Sequence, residues 1–180
     1  MVFKRILQVK PPRRKGLGFA SDGIPIGLEY IAVSIEDIVH EVNISDMELE
    51  KSSFHSFLDA LNPDLVAITM SATDHYEGLR FAKIAKEKGY TTVLGGYHPT
   101  AIPDELVSAP QIDLVVRSGG EYTMKELVQE GSFVDVPGLS TKEDRKIVHN
   151  SNYPLIQDLD ALPFPARQLA GISQNQGVWR

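Results

Sequence analysis

Three short stretches of this 180-residue chain concentrate residue types that hold a ligand rather than break a bond. They are Ser71-Ala72-Thr73-Asp74-His75-Tyr76, Gly95-Gly96-Tyr97-His98-Pro99-Thr100 and Arg117-Ser118-Gly119-Gly120-Glu121-Tyr122. Paired glycines let another molecule approach the backbone, or let the chain take positive φ. The hydroxyls of Ser71, Thr73 and Thr100, the imidazoles of His75 and His98 and the carboxylate of Glu121 offer donors and acceptors. Tyr76 and Tyr97 offer flat faces. The candidate binding residues are therefore Ser71, Thr73, Tyr76, Gly95, Gly96, Tyr97, His98, Thr100, Gly119, Gly120 and Glu121. No catalytic residue and no metal ligand is assigned.

What is absent narrows the chemistry. The chain has no cysteine, which excludes a disulfide framework, a thiolate zinc site, an iron–sulfur cluster and a cysteine nucleophile within it. No Gly-x-Gly-x-x-Gly follows the first strand and no Gly-Lys-Ser/Thr occurs, so a dinucleotide or nucleoside-triphosphate site is disfavoured. The net charge of −6 argues against a nucleic-acid face. The basic cluster Arg13-Arg14-Lys15 is read as a solvated loop. His40, His55 and His149 lie outside the three stretches and are read as structural. Besides Glu121, the carboxylates near strand ends are Asp22, Asp46 and Asp74, and they do not form the acidic pair of a phospho-receiver; Ser71 stands where the acceptor Asp would be. The N-terminal MVFKRILQVK is too charged for a signal peptide, and no stretch approaches a membrane span. The expected location is cytoplasmic, without a membrane partner.

These stretches need strands to present them, and the pattern supplies five. Apolar runs at Phe3–Lys10, His40–Asp46, DLVAITMS, TTVLGG and IDLVVRS alternate with helix-period segments. Those helices carry Leu28, Ile31, Ala32 and Ile35; Phe54, Phe57, Leu58 and Leu61; Phe81, Ile84 and Ala85; a short helix from Pro103; and Met124, Leu127 and Val128. Repeated βα order implies a five-stranded parallel sheet covered on both faces, of flavodoxin-like (Rossmann-like) α/β class, with expected strand order 2-1-3-4-5. The first βα loop, Pro11 to Ile24, is long for such a connection. Residues 132–150 are expected to form a β-hairpin extension turning at Glu143-Asp144. From Ser151 the chain is proline-rich and without a period, and residues 151–180 are read as a linker. The α/β domain is thus bounded at 1–131.

Four stretches together carry a resemblance: PIGLEYIAVSIED, PDLVAITMSATDHYEGLRFAKIAK, LGGYHPTAIPDEL and PLIQDLDALPFPAR. Nearly the whole chain resembles the N-terminal cobalamin-binding domain of cobalamin-dependent radical SAM enzymes. The last two stretches are the most specific, since generic α/β patterning explains neither.

The resemblance implies that Ser71 or Thr73 contacts the nucleotide tail of cobalamin and that Gly95 and Gly96 let that tail pass close to the backbone. Many cobalamin domains supply a cobalt ligand from Asp-x-His-x-x-Gly in the first βα loop, and PPRRKGLGFASDG has no histidine. The implied cofactor is base-off with no protein histidine on cobalt, although Thr73-x-His75-x-x-Gly78 sits after strand three. After strand five the family's Arg-Gly-Glu-Gly-Glu is here Arg117-Ser118-Gly119-Gly120-Glu121. The expected role is the cofactor module of a radical SAM methyltransferase or cyclase. S-adenosylmethionine and an iron–sulfur cluster would then belong to a catalytic domain missing from this chain, and the chain alone would not turn over. The alternatives are a flavodoxin-like nucleotide- or flavin-binding domain and a receiver-like interaction domain.

Overall fold

The computed structural model describes residues 3–13 and 25–170. Arg14, Lys15, Asp22 and the rest of 14–24, as well as 171–180, lie outside them.

Five strands, β1 (Arg5–Lys10), β2 (Glu41–Asp46), β3 (Leu65–Thr69), β4 (Thr91–Gly95) and β5 (Leu114–Val116), pair in parallel in the order 2-1-3-4-5. The central strand β3 is apolar throughout its buried length because both of its faces are covered. Burying Leu65, Val66 and Ile68 completely is worth about 1.5–3 kcal/mol each.

Helices α1 (Ile26–Ile35) and α6 (Gly120–Glu130) cover one face. Helices α2 (Phe54–Leu61), α3 (His75–Glu87) and α5 (Pro103–Ser108) cover the other. Local sequence sets their ends. Ser53 caps α2 by accepting from the Ser56 N–H at 3.2 Å, and Asn62 closes it in the left-handed region at φ 42°. Gly131 closes α6 in the same way, at φ 60°. Alternation along the strands sorts the two cores. Ile6, Ala67, Val93 and Leu114 point toward α1 and α6, while Leu7, Val66, Ile68 and Leu94 point toward α2, α3 and α5.

The structure departs from the expected elements in three places. A short helix, α4 (Tyr97–Ala101), occupies what reads as loop; Pro99 is tolerated there because first-turn N–H groups have no helical partner. β5 is only three residues long: the Arg117 N–H donates to the Gly138 carbonyl, one step further along the β5–β6 register, and Ser118 then takes φ 65°. The hairpin β6 (Leu139–Glu143) and β7 (Lys146–His149) does not stand apart. β6 pairs antiparallel with β5, so the sheet has seven strands rather than five. β5 would otherwise expose an unpaired edge, and the hairpin covers it. Its turn is Asp144-Arg145, one residue later than expected, with φ 46° and 67°.

Residues 151–170 fold back along the domain. Ala166 is buried under α1, and a 3-10 turn at Arg167–Ala170 packs on β2 and α1.

Candidate functional site

Parallel strands end together, so β1, β3, β4 and β5 deliver their following loops to one edge, where ligands of open α/β sheets lie. Thr69 pairs with Gly95 at that edge. Alternation places Ala67, Thr69 and Gly95 on the α1/α6 face, which makes that face a shelf of small residues at its rim.

After β3, the Ser71 N–H donates to the Asp74 carboxylate, and the Ser71 and Thr73 hydroxyls lie 2.8 Å apart. Asp74 is buried. Burial pushes its carboxyl above the usual aspartate range, while hydrogen bonds from Ser71 and the charge of Arg13 pull it back. Its role is to shape the turn. His75, one residue on, brings Nδ1 to 2.9 Å from Nε2 of His98, which links the loops after β3 and β4. The Tyr76 ring meets His75 edge-on at 5.3 Å and is itself exposed. Tyr97 is 94% exposed, so it does not pack against the sheet edge. Among the described residues no group of three or more His, Cys, Asp or Glu is arranged to hold a metal ion.

The glycines do different work. Gly96 has φ +106°, and a Cβ there would sit 2.8 Å from the Met70 carbonyl oxygen. The chain itself requires glycine at that position. Among the described residues a Cβ on Gly95 would meet only the Val116 Cβ, at 3.9 Å, so they leave space open above it. Gly120 lets α6 approach α1, since a Cβ there would press on Ile31 at 2.8 Å. Gly119 has only the flexible end of Glu121 nearby, at 3.0 Å. Thr100 is already committed: its hydroxyl donates to the Gly96 carbonyl at 2.8 Å and accepts the Ser118 N–H at 2.9 Å, tying the β4 and β5 loops together. Asp46 is likewise occupied, paired at 2.7 Å with Lys10 at the ends of β1 and β2.

A cleft of about 560 Å³ opens beside this edge. One wall is Tyr30, Ser118, Gly119, Glu121 and Tyr122, and the other is Tyr153, Leu155, Leu159 and Leu162 from the segment after the hairpin. The sequence reading chose Gly119 and Glu121 as candidates, had Ser118 and Tyr122 in the same stretch without choosing them, and missed Tyr30 and the opposite wall. The available signal was the spacing of Leu155, Leu159 and Leu162 within a stretch read as aperiodic. Glu29 was also missed. It is fully buried on α1; among the described residues neither carboxylate oxygen has a hydrogen bond, and the Arg167 guanidinium lies 3.6 Å away.

A family model described as B12 binding domain matches residues 16–128. An uncharacterized methyltransferase of Pyrococcus horikoshii is 35% identical, over 94% of this chain and 39% of its own length. An anaerobic magnesium-protoporphyrin IX monomethyl ester cyclase of Rubrivivax gelatinosus is 31% identical, over 88% of this chain and 31% of its own length. The chain thus spans well under half of these curated relatives. Among solved structures, the cobalamin-dependent S-adenosylmethionine radical enzyme OxsB, with aqua-cobalamin and S-adenosylmethionine bound, superposes with TM-score 0.73 at 17% identity. That match covers 95% of this chain and 25% of OxsB. The radical S-adenosylmethionine methyltransferase TsrM of Kitasatospora setae, with cobalamin and a [4Fe-4S] cluster bound, gives 0.71 at 20% identity, covering 92% of this chain and 31% of TsrM. At these identities the superpositions speak for the fold.

Proposed function

Because the chain belongs to the B12-binding domain family, we propose that its strand-end edge holds cobalamin in the base-off form, as the cofactor module of a radical SAM methyltransferase or cyclase. The observation that carries the placement is the open space over Gly95, beside the Ser71–Thr73 hydroxyl pair. A cofactor tail needs a small-residue shelf and a few convergent polar groups, and both are present there. When bound, cobalamin supplies a cobalt centre able to carry a methyl group.

The chain's own residues then hold and orient. Ser71 and Thr73 present hydroxyls to the nucleotide tail, and Gly95 lets the tail lie against β4. Gly119 and Glu121 line the adjoining cleft. The exposed rings of Tyr76 and Tyr97 are free to cover the corrin. No histidine occurs in residues 11–24, so that loop offers cobalt no imidazole. His75 is tied through Nδ1 to His98 and is read as a loop fastener. S-adenosylmethionine, the iron–sulfur cluster and the catalytic residues belong, on this reading, to a further domain of the parent enzyme.

The test is purification with added hydroxocobalamin followed by an absorption spectrum. A stoichiometric corrinoid spectrum is expected. A flavin spectrum, or no chromophore retained from either cofactor, would overturn the reading.

A further inference from the structure

The segment after the hairpin forms one wall of the 560 Å³ cleft, and it is fastened at its two ends by different chemistry. At the near end Arg117 donates to the Asn152 side chain and the Asn150 carbonyl. There too the Tyr153 hydroxyl donates to Glu126 at 2.7 Å, and the Tyr153 ring stacks on Tyr122 at 5.4 Å. At the far end Ala166 is seated in the core and donates its N–H to the Glu29 carbonyl at 3.2 Å. Beside it, Arg167, half exposed, lies 3.6 Å from the buried Glu29 carboxylate. Between these ends the hydrogen bonds of residues 154–165 are, among the described residues, local, such as Gln157 to the Leu155 carbonyl and Asp160 to Asp158. Leu155, Leu159 and Phe164 face solvent. The near end is held by several well-formed bonds. The far end combines the seat of Ala166 and the packing of the 3-10 turn on β2 and α1 with a carboxylate that has no hydrogen bond among the described residues and whose desolvation Arg167 offsets in part.

We propose that residues 153–166 are a hinged strap over the cleft that adjoins the cofactor edge, with its hinge at Tyr153 and its latch at Ala166–Arg167 on Glu29, and that corrinoid enters and leaves through release of the latch. This rests on the cobalamin reading above. Removing Arg167 leaves an uncompensated buried charge, so the latch opens more often. Replacing Glu29 with glutamine removes the charge that Arg167 offsets, so the latch no longer needs Arg167.

The test uses the chain alone, in two measurements. Chymotrypsin cleavage within 155–164 reports latch opening without cofactor, because cleavage of a transiently open segment follows its open population. Stopped-flow absorbance with hydroxocobalamin reports uptake and release. Arg167→Gln should be cleaved roughly tenfold faster than wild type and should take up and release cobalamin faster by a similar factor, with little change in Kd. Adding Glu29→Gln to that variant should restore wild-type cleavage and rates. Unchanged cleavage in Arg167→Gln, or no rescue by Glu29→Gln, would overturn the latch. Faster cleavage with unchanged uptake and release would overturn the gating role. If no variant, wild type included, binds cobalamin, the proposed function fails, while the cleavage comparison still decides the latch.

Discussion

Gly95 and Gly96 are neighbours in sequence, but different physics acts on each. Gly96 is required by its own backbone: positive φ and the 2.8 Å approach to the Met70 carbonyl leave no room for a side chain. Gly96→Val should destabilise the fold by about 1–3 kcal/mol, visible as a lowered Tm without any cofactor. At Gly95 an added Cβ meets, among the described residues, nothing closer than the Val116 Cβ. Gly95→Val should therefore keep the wild-type Tm yet weaken cobalamin binding by about 1–3 kcal/mol, roughly tenfold or more in Kd. Unchanged affinity in a folded Gly95→Val protein would remove β4 from the site. At the same scale, the imidazole-free cobalt is tested by spin resonance of the cobalt(II) form. The expected spectrum lacks the threefold nitrogen splitting of each cobalt line. Splitting that is present in wild type and lost in His75→Ala would show that His75 has left His98 to ligate the metal.

The β6–β7 turn shows how an element is closed against local preference. A two-residue hairpin loop of type I′ needs positive φ at both central positions, and Asn-Gly or Asp-Gly satisfies this with least strain. Here the second position is Arg145, at φ 67°. An L residue in the left-handed region costs about 1–2 kcal/mol, part of which Arg145→Gly recovers. That variant should be more stable by about 0.5–1 kcal/mol, read as a higher urea midpoint with an unchanged slope. A lower midpoint would mean that the Arg145 side chain contributes more than its backbone costs. The hairpin tolerates the strain because β6 is paired on both sides, with β5 and β7.

For the molecule as a whole, Glu29 couples stability to pH. Burial raises its carboxyl above the usual glutamate value of 4.5, and the Arg167 charge lowers it again in part. A carboxyl whose pKa is raised on folding favours the folded state most at acid pH. That contribution fades as pH rises from the ordinary value through the raised one. Glu29→Gln has no proton to lose. It should match wild type in urea unfolding at pH 4 and exceed it at pH 7, and an equal difference at both pH values would mean that Glu29 does not titrate on its buried seat. No helix among the described residues is long and apolar enough to cross a membrane.

The alternation of apolar runs and helix-period segments determined the α/β class, the five parallel strands and the strand-end edge, because periodicity reports which side of each element is buried. The same reading selected the loops after β3, β4 and β5, since glycine, hydroxyl and imidazole residues were local to them. It could not distinguish Gly95 from Gly96: φ and the distance to Met70 exist only once β3 and β4 are paired. It left His75 and His98 as separate residues, since 23 positions part them in sequence and only adjacent parallel strands bring a nitrogen of each ring to 2.9 Å from the other. The hairpin read as an appendage because an open sheet edge has no signature in the strand that owns it. The segment from Tyr153 to Arg167 read as a linker for the same reason. Its anchors are Glu126 and Glu29, and the burial that makes Glu29 a latch is a property of the packed molecule rather than of any stretch of sequence.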